Sequence, residues 1–195
     1  MAAVVGGLED LGYGWAFRTV DGRHLGTAQR RGRVLVVGHR GGDPRPAWDV
    51  LGDSGPGGEA VASHRLGGQS RRPGPVGVAS SDVTIWRKSA RARAALNKGG
   101  YETWVVSPDS NTLTGFDGGA ATRQTHLLAQ NGRLRTLTLT EWERLQGFPD
   151  GWTDSMATSK RYGALGDAIH TGTSAWLGRR IAAVHNAVPQ IGVSA

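Results

Sequence analysis

Arginine and lysine side chains carry most of the chemistry this sequence offers. Arg87, Lys88, Arg91, Arg93 and Lys98 cluster beside Trp86 in TIWRKSARARAALNK, residues 84–98. Clustered cations neutralise phosphates and release counterions, which gives affinity for a polyanion without sequence preference. The structural alternative for the same residues is a solvated helix face. Arg123 and Gln124, in RQTHLL, are side chains that make bidentate contacts to guanine and adenine edges. Gln29, Arg30, Arg31 and Arg33 form a further basic cluster, QRRGR, ahead of the apolar run VLVVGH. Other chemistries are missing. The chain has no cysteine, so it contains no thiolate nucleophile, disulfide or thiolate metal site. Its six histidines are scattered, without an H-x-x-x-H or H-E-x-x-H pair, and no metal site is expected.

The elements that must position these groups can be read from caps and periodicity. In RTLTLTEWERLQGFPDGW, residues 135–152, Thr138 and Glu141 stand in capping-box spacing. A helix then runs through Trp142 and Leu145 and stops at Gly147, before Pro149. Arg135, Arg144 and Gln146 decorate this short basic element. After Trp152 two amphipathic helices are expected. Tyr162, Leu165 and Ile169 lie on one face of the first; Trp176, Leu177, Ile181 and Val184 lie on one face of the second, with Arg179 and Arg180 on its polar side. Near the start, Leu8 to Tyr13 reads as a helix tail ending in glycine. Trp15 to Thr19 alternates as a strand, and Val34 to Val37 suits a buried strand. Residues 84–98 are helix-compatible. Tyr101 and Trp104 read as core, and Asn111 to Thr114 is a polar run ending in a turn.

Composition fits this inventory. The 195 residues include 23 Lys plus Arg against 16 acidic residues, a net charge of +7 and a pI near 10.7. That balance favours a polyanionic partner, nucleic acid ahead of membrane because no basic amphipathic helix stands out. Hydrophobic content is only 38%, with 31 glycines and 8 prolines, so much loop is expected. Five of the eight prolines fall between Pro44 and Pro75. That stretch cannot bury enough apolar surface to offset its ordering entropy, and it reads as a flexible linker or a loop that orders on DNA. No apolar run approaches the roughly 18 residues of a membrane span, and MAAVVGGL lacks the basic start of a signal peptide.

The run R-x-L-T-x-x-E-x-x-R-L-Q-G-F-P-D-x-W is more specific than its periodicity. It resembles the ninth conserved block of the DNA cytosine-5 methyltransferases. Gln29 to Arg33 followed by VLVVGH resembles the eighth block. Arg161-Tyr162 through Leu165-Gly166-Asp167-Ala168-Ile169, then Trp176 to Ile181, is similar to the tenth. The three stand in the family's order. The family's Pro-Cys dipeptide, its Glu-Asn-Val block and its F-x-G-x-G turn for S-adenosylmethionine are not in the chain. Methylation at C5 of cytosine needs a soft nucleophile at C6, for which a thiolate is suited and an unactivated hydroxyl is not.

The resemblance therefore implies an α/β fold. It would be a C-terminal remnant of an S-adenosylmethionine-dependent methyltransferase sheet with a mixed target-recognition region and long loops. Residues 1–39 would end the catalytic domain, 40–80 form a flexible segment, 81–155 the recognition region and ninth block, and 156–190 the helices returning to the catalytic domain. A strand pair without its sheet is marginal and leaves an open edge, so a partner half carrying the cysteine is expected. By resemblance Arg31 and Arg33 hold the flipped cytosine and a nearby phosphate. Gln29, Arg87, Lys88, Arg91, Arg93, Thr112, Arg123, Gln124 and Arg135 would face double-stranded DNA, with Thr112 against the displaced nucleotide. Gly166, Asp167 and Ala168 would lie beside the cofactor. The family has Asn where this chain has Asp167, and a carboxylate only accepts where an amide also donates. A non-catalytic DNA-binding module and an inactive fragment are the alternatives. In each case a cytoplasmic protein, bacterial or phage-encoded, is expected.

Overall fold

A computed structural model of the chain describes residues 1–53, 83–89, 103–114 and 125–187. Arg91, Arg93, Lys98, Tyr101, Arg123 and Gln124 lie outside these, as does most of the proline-rich stretch. The chain divides into two units, the first being Met1–Val20, Gly32–Gly68 and Thr173–Ala195, the second Asp21–Arg31 and Gln69–Gly172.

The helix tail and alternating strand expected at the start form α1 (Ala2–Asp10) and β1 (Tyr13–Asp21); β1 pairs with β2 (Gly32–Arg40) in a two-stranded sheet. Ala16 and Val20 of β1 are buried. β2 departs from the buried strand expected of VLVV. Val34 is 48% exposed and its three apolar neighbours are only half-buried. Among the described residues no third strand pairs with β2. A glycine is required at Gly14, where a Cβ would stand 2.3 Å from the carbonyl carbon of Asp43.

The segment expected to be flexible opens with a helix, α2 (Arg45–Leu51), which buries Ala47, Val50 and Leu51. Its last carbonyls are all taken by arginines. Arg180 donates to the carbonyls of Asp49, Val50 and Gly52, and Arg18 donates to that of Leu51 at 2.6 Å. A cation is favoured at the negative end of a helix. Arg180 projects from the last helix, whose buried residues are Thr173, Trp176, Arg180 and Val184. Sequence periodicity placed Arg180 on the polar side and Ile181 inside. The structure reverses them: Arg180 is buried and Ile181 is 45% exposed.

In the second unit β3 (Val83–Lys88), β4 (Trp104–Ser107), β5 (His126–Gln130) and β6 (Arg133–Arg135) form an antiparallel sheet in the order β4-β3-β5-β6. Residues 84–88, expected as the start of a basic helix, are therefore a strand. Val83, Thr84, Ile85 and Trp86 are the β-branched and aromatic types that fit a pleated surface, and β3 is paired on both edges. Strand geometry sends Arg87 and Lys88 to opposite faces. Arg87 stands opposite His126 and Val105, whereas Lys88 is opposite Trp104 and lies 5.4 Å from its ring centroid.

Ile85 and Leu128 point from this sheet into a core with Ala28, Leu113, Leu137, Trp142, Leu145 and Leu165. Trp142 belongs to α3 (Leu139–Gln146), and its ring meets Tyr162 edge-on at 5.0 Å. The expected capping box is present: Glu141 N–H donates to Thr138 Oγ1 at 3.2 Å, and Thr138 N–H donates to Glu141 Oε2 at 2.8 Å. Gly147 ends the helix at φ +80°, the left-handed conformation that glycine adopts without a Cβ penalty. Glu143, fully buried, accepts from the N–H groups of Gly151 and Thr153 and from Arg161. This ties the Gly-Phe-Pro turn to α4 (Thr158–Asp167), the first expected amphipathic helix. α4 ends before Ile169, which is 59% exposed instead of extending its buried face. The second helix, α5, covers Thr171–Ala187. No helix among the described residues is long and apolar enough to cross a membrane.

Thr138→Ala removes one arm of the capping box and is expected to lower the unfolding free energy by about 1 kcal/mol. Chemical denaturation followed by tryptophan fluorescence measures it, and an unchanged midpoint would exclude the cap as a stabilising element.

Candidate nucleic-acid interface

The first three residues of QRRGR, Gln29 to Arg31, are built into the second unit by a splice with residues 107–113. Ser110 N–H donates to the Ala28 carbonyl at 2.8 Å, and Arg30 N–H donates to the Ser110 carbonyl at 3.0 Å, so Gln29 and Ser110 form a parallel bridge. Thr112 Oγ1 donates to the Arg30 carbonyl at 2.5 Å. Charged groups reinforce the splice. Asp109 accepts from Ser107 Oγ at 2.7 Å, Arg30 Nε at 3.0 Å and Arg23 Nη1 at 3.3 Å. Burial pushes the Asp109 carboxyl up, but its bond from Ser107 and the two guanidinium groups outweigh this and hold it below the usual range.

Arg31 lies at the centre of this arrangement and is only 2% exposed. Its Nη1 donates to the Leu113 carbonyl at 3.1 Å, and its Nη2 donates to those of Gly166 and Ala168 at 2.8 and 2.6 Å. Its backbone N–H donates to Asp21 Oδ1 at 3.1 Å. Burial alone would raise the Asp21 carboxyl, yet hydrogen bonds from Arg23 and from the backbone of Arg23 and Arg31 hold it low. One planar fork thus gathers carbonyls from two distant stretches of chain, a task suited to guanidinium and not to a point-charge ammonium.

Beside it lies His170, 2% exposed, with Nε2 at 3.0 Å from Thr27 Oγ1. Burial, followed by the positive charge of Arg31, holds the imidazole below its ordinary value.

The other predicted residues that are described differ in their surroundings. Arg33 belongs to the first unit, on β2, and is exposed, with Nη1 donating to the Gly32 carbonyl at 3.0 Å. Gln29 is fully buried at the bridge and Lys88 is buried at Trp104; neither stands on an open face. Arg87 is half-buried on the His126 side of the sheet. Arg135 closes its fork on Glu141, with both contacts at 2.8 Å, and also donates to Gln130 Oε1. In the tenth-block turn Gly166 is buried, Ala168 half-buried and Asp167 exposed. The helix expected to begin at Thr84 is corrected over residues 84–88, while 90–98 lie outside the described residues. A strand separates its cations by face, and a buried arginine serves the backbone.

Comparison with known proteins gives this arrangement a family. The model of the C-5 cytosine-specific DNA methylases matches residues 74–183, more than half of the chain. The chain belongs to that family. It is 28% identical over 181 residues to the Type II methyltransferase M2.BsuMI of Bacillus subtilis (strain 168), covering 89% of this chain and 41% of that protein. It is also 51% identical over 47 residues to the Type II methyltransferase M.Sau3AI of Staphylococcus aureus, covering 24% of this chain and 11% of the relative. The chain thus spans less than half the length of these relatives. Membership agrees with the mixture of helices and antiparallel sheets, and the fold class is α/β.

Sequence reasoning missed Asp21, Arg23, Asp109, Ser110 and His170. No periodicity marks them: Asp21 is placed by a turn contact to Arg23 and by the Arg31 N–H, and the others are placed by contacts between segments far apart in the chain. Among the described residues no group of three His, Asp or Glu could hold a metal.

The lowered His170 pKa has a definite sign. The fold favours neutral imidazole, whereas the unfolded chain takes up a proton near pH 6.5. Stability is therefore full above about pH 6.5 and falls as pH drops below it, by at most about 1.4 kcal/mol per pH unit. The lowered carboxyls, Asp21, Asp109, Glu141 and Glu143, retain their contribution until pH falls below the ordinary carboxylate range. Thermal unfolding between pH 7 and 5 should show a decline that His170→Asn reduces; equal declines in both proteins would contradict this assignment.

Proposed function

We propose that this chain is the C-terminal, target-recognition half of a DNA cytosine-5 methyltransferase. It binds double-stranded DNA and helps hold a flipped cytosine, while an N-terminal half supplies the nucleophilic cysteine. The observation that carries the reading is methylase membership in a sequence without cysteine. The chain's share of its relative, 41%, supports it, as do the exposed Val34 of β2 and the lack of a third strand beside it among the described residues. A duplex cytosine must leave the stack before its ring is attacked, at a cost of a few kcal/mol. Thr112 would abut the displaced strand and Arg33 would hold the extruded nucleotide.

S-adenosylmethionine is the cofactor of this reading, and Gly166, Asp167 and Ala168 are the residues of this chain that would face it. The carbonyls of Gly166 and Ala168 accept from Arg31, and the exposed Asp167 carboxylate would offer a further accepting group. A carboxylate fits the ammonium and hydroxyl donors of this cofactor. When bound, the cofactor supplies an electrophilic methyl group. The methylase would act in the cytoplasm.

The absent cysteine also supports a second reading, a DNA-binding module that performs no methyl transfer. Mixing the chain with a candidate N-terminal half and assaying methyl transfer to DNA separates the two. Activity in the mixture alone is expected, with Arg33→Ala lowering it roughly 10- to 100-fold. Halves that neither associate nor methylate would sink the first reading. The isolated chain should retard duplex DNA at low salt and release it as salt rises; failure to retard it removes the second reading.

A further inference from the structure

We propose that Arg31 is a positioning residue that couples the strand-facing Thr112–Leu113 segment to the Gly166–Ala168 turn, so that engagement of DNA at one sets the conformation of the other. This rests on the reading of the chain as a methyltransferase recognition half. Arg31 is 2% exposed and touches both segments with one rigid group: Leu113 through Nη1, Gly166 and Ala168 through Nη2. Thr112 is tied to the residue before it, through the Arg30 carbonyl. The strip is held from behind as well, because Asp21 accepts the Arg31 N–H and the Arg31 carbonyl accepts the Gly22 N–H at 3.1 Å.

Movement of Thr112 and Leu113 cannot be absorbed locally. It either carries the fork along, shifting Gly166 and Ala168, or withdraws an acceptor from a buried cation, which is unfavourable. The Arg31 fork is thus a physical link that both sites bias, and by linkage the influence is reciprocal. Arg31 couples the two segments through these contacts. A lysine in its place could not span the three carbonyls with a planar fork.

Amide hydrogen exchange in the full 195-residue chain tests the link without requiring catalysis. Thr112→Val should speed exchange at Ala168 to His170 on the order of fivefold, while Ile85 and Leu128 in the sheet stay unchanged. In an Arg31→Lys background the same substitution should add less than about twofold. No change at Ala168 to His170, or an equal change in both backgrounds, overturns the proposal. Should Arg31→Lys fail to fold, adding a mixed-sequence DNA duplex to the wild-type chain decides it. Slower exchange at both Thr112–Leu113 and Ala168–His170 is the expected result. Retarded duplex with Ala168–His170 unaltered refutes the link but leaves DNA binding standing; no retardation at low salt refutes DNA binding and the coupling with it.

Discussion

A buried guanidinium closed on backbone carbonyls is the interaction on which the second unit depends. Arg31 joins the end of the 107–113 segment to the end of α4, and neither contact is between neighbours in sequence. Carbonyls at a helix C-terminus lack partners within the helix. Water cannot serve them where they are buried, so a side chain must. Arginine suits the task because its donors lie in one plane and it stays charged. The first unit repeats the device on α2, where Arg180 takes three carbonyls and Arg18 a fourth. In both units the arginine is what allows an irregular stretch of backbone to be buried.

Local chemistry was legible in the sequence. Thr138, Glu141 and Gly147 specify α3 by capping and stopping it, and each does so in the structure through contacts a few residues away. β1 was readable for the same reason, since its alternation has period two. The failures share a cause as well. Arg87 and Lys88 look like neighbours on a helix until pairing with β4 and β5 makes their segment a strand. Arg180 reads as solvated because no periodicity announces that α2 will bring it carbonyls. Arg31 was legible as important, by resemblance, but its partners sit 82, 135 and 137 residues away. Long-range polar contacts leave no local signature.

The ninth-block run shows both sides of this. Its helix is self-specified, yet two of its polar residues serve ties beyond the run. Glu143 holds the turn at Gly151 to Thr153 and reaches Arg161, and Gln146 donates to the Leu165 carbonyl at 2.6 Å. Glu141 instead pairs with Arg135, within the run. The run thereby fastens the four-stranded sheet on one side and α4 on the other.

The placement of the cations alters how the chain's charge should be counted. A net charge of +7 counts charges without regard to where they stand. Arg31, Arg180 and Lys88 are buried, and Arg23, Arg30 and Arg135 are matched to carboxylates. Their charge is internal mortar, and it holds few counterions for a bound phosphate to displace. Among the described residues, fewer cations stand open to direct phosphate contact than a count of 23 Lys plus Arg suggests.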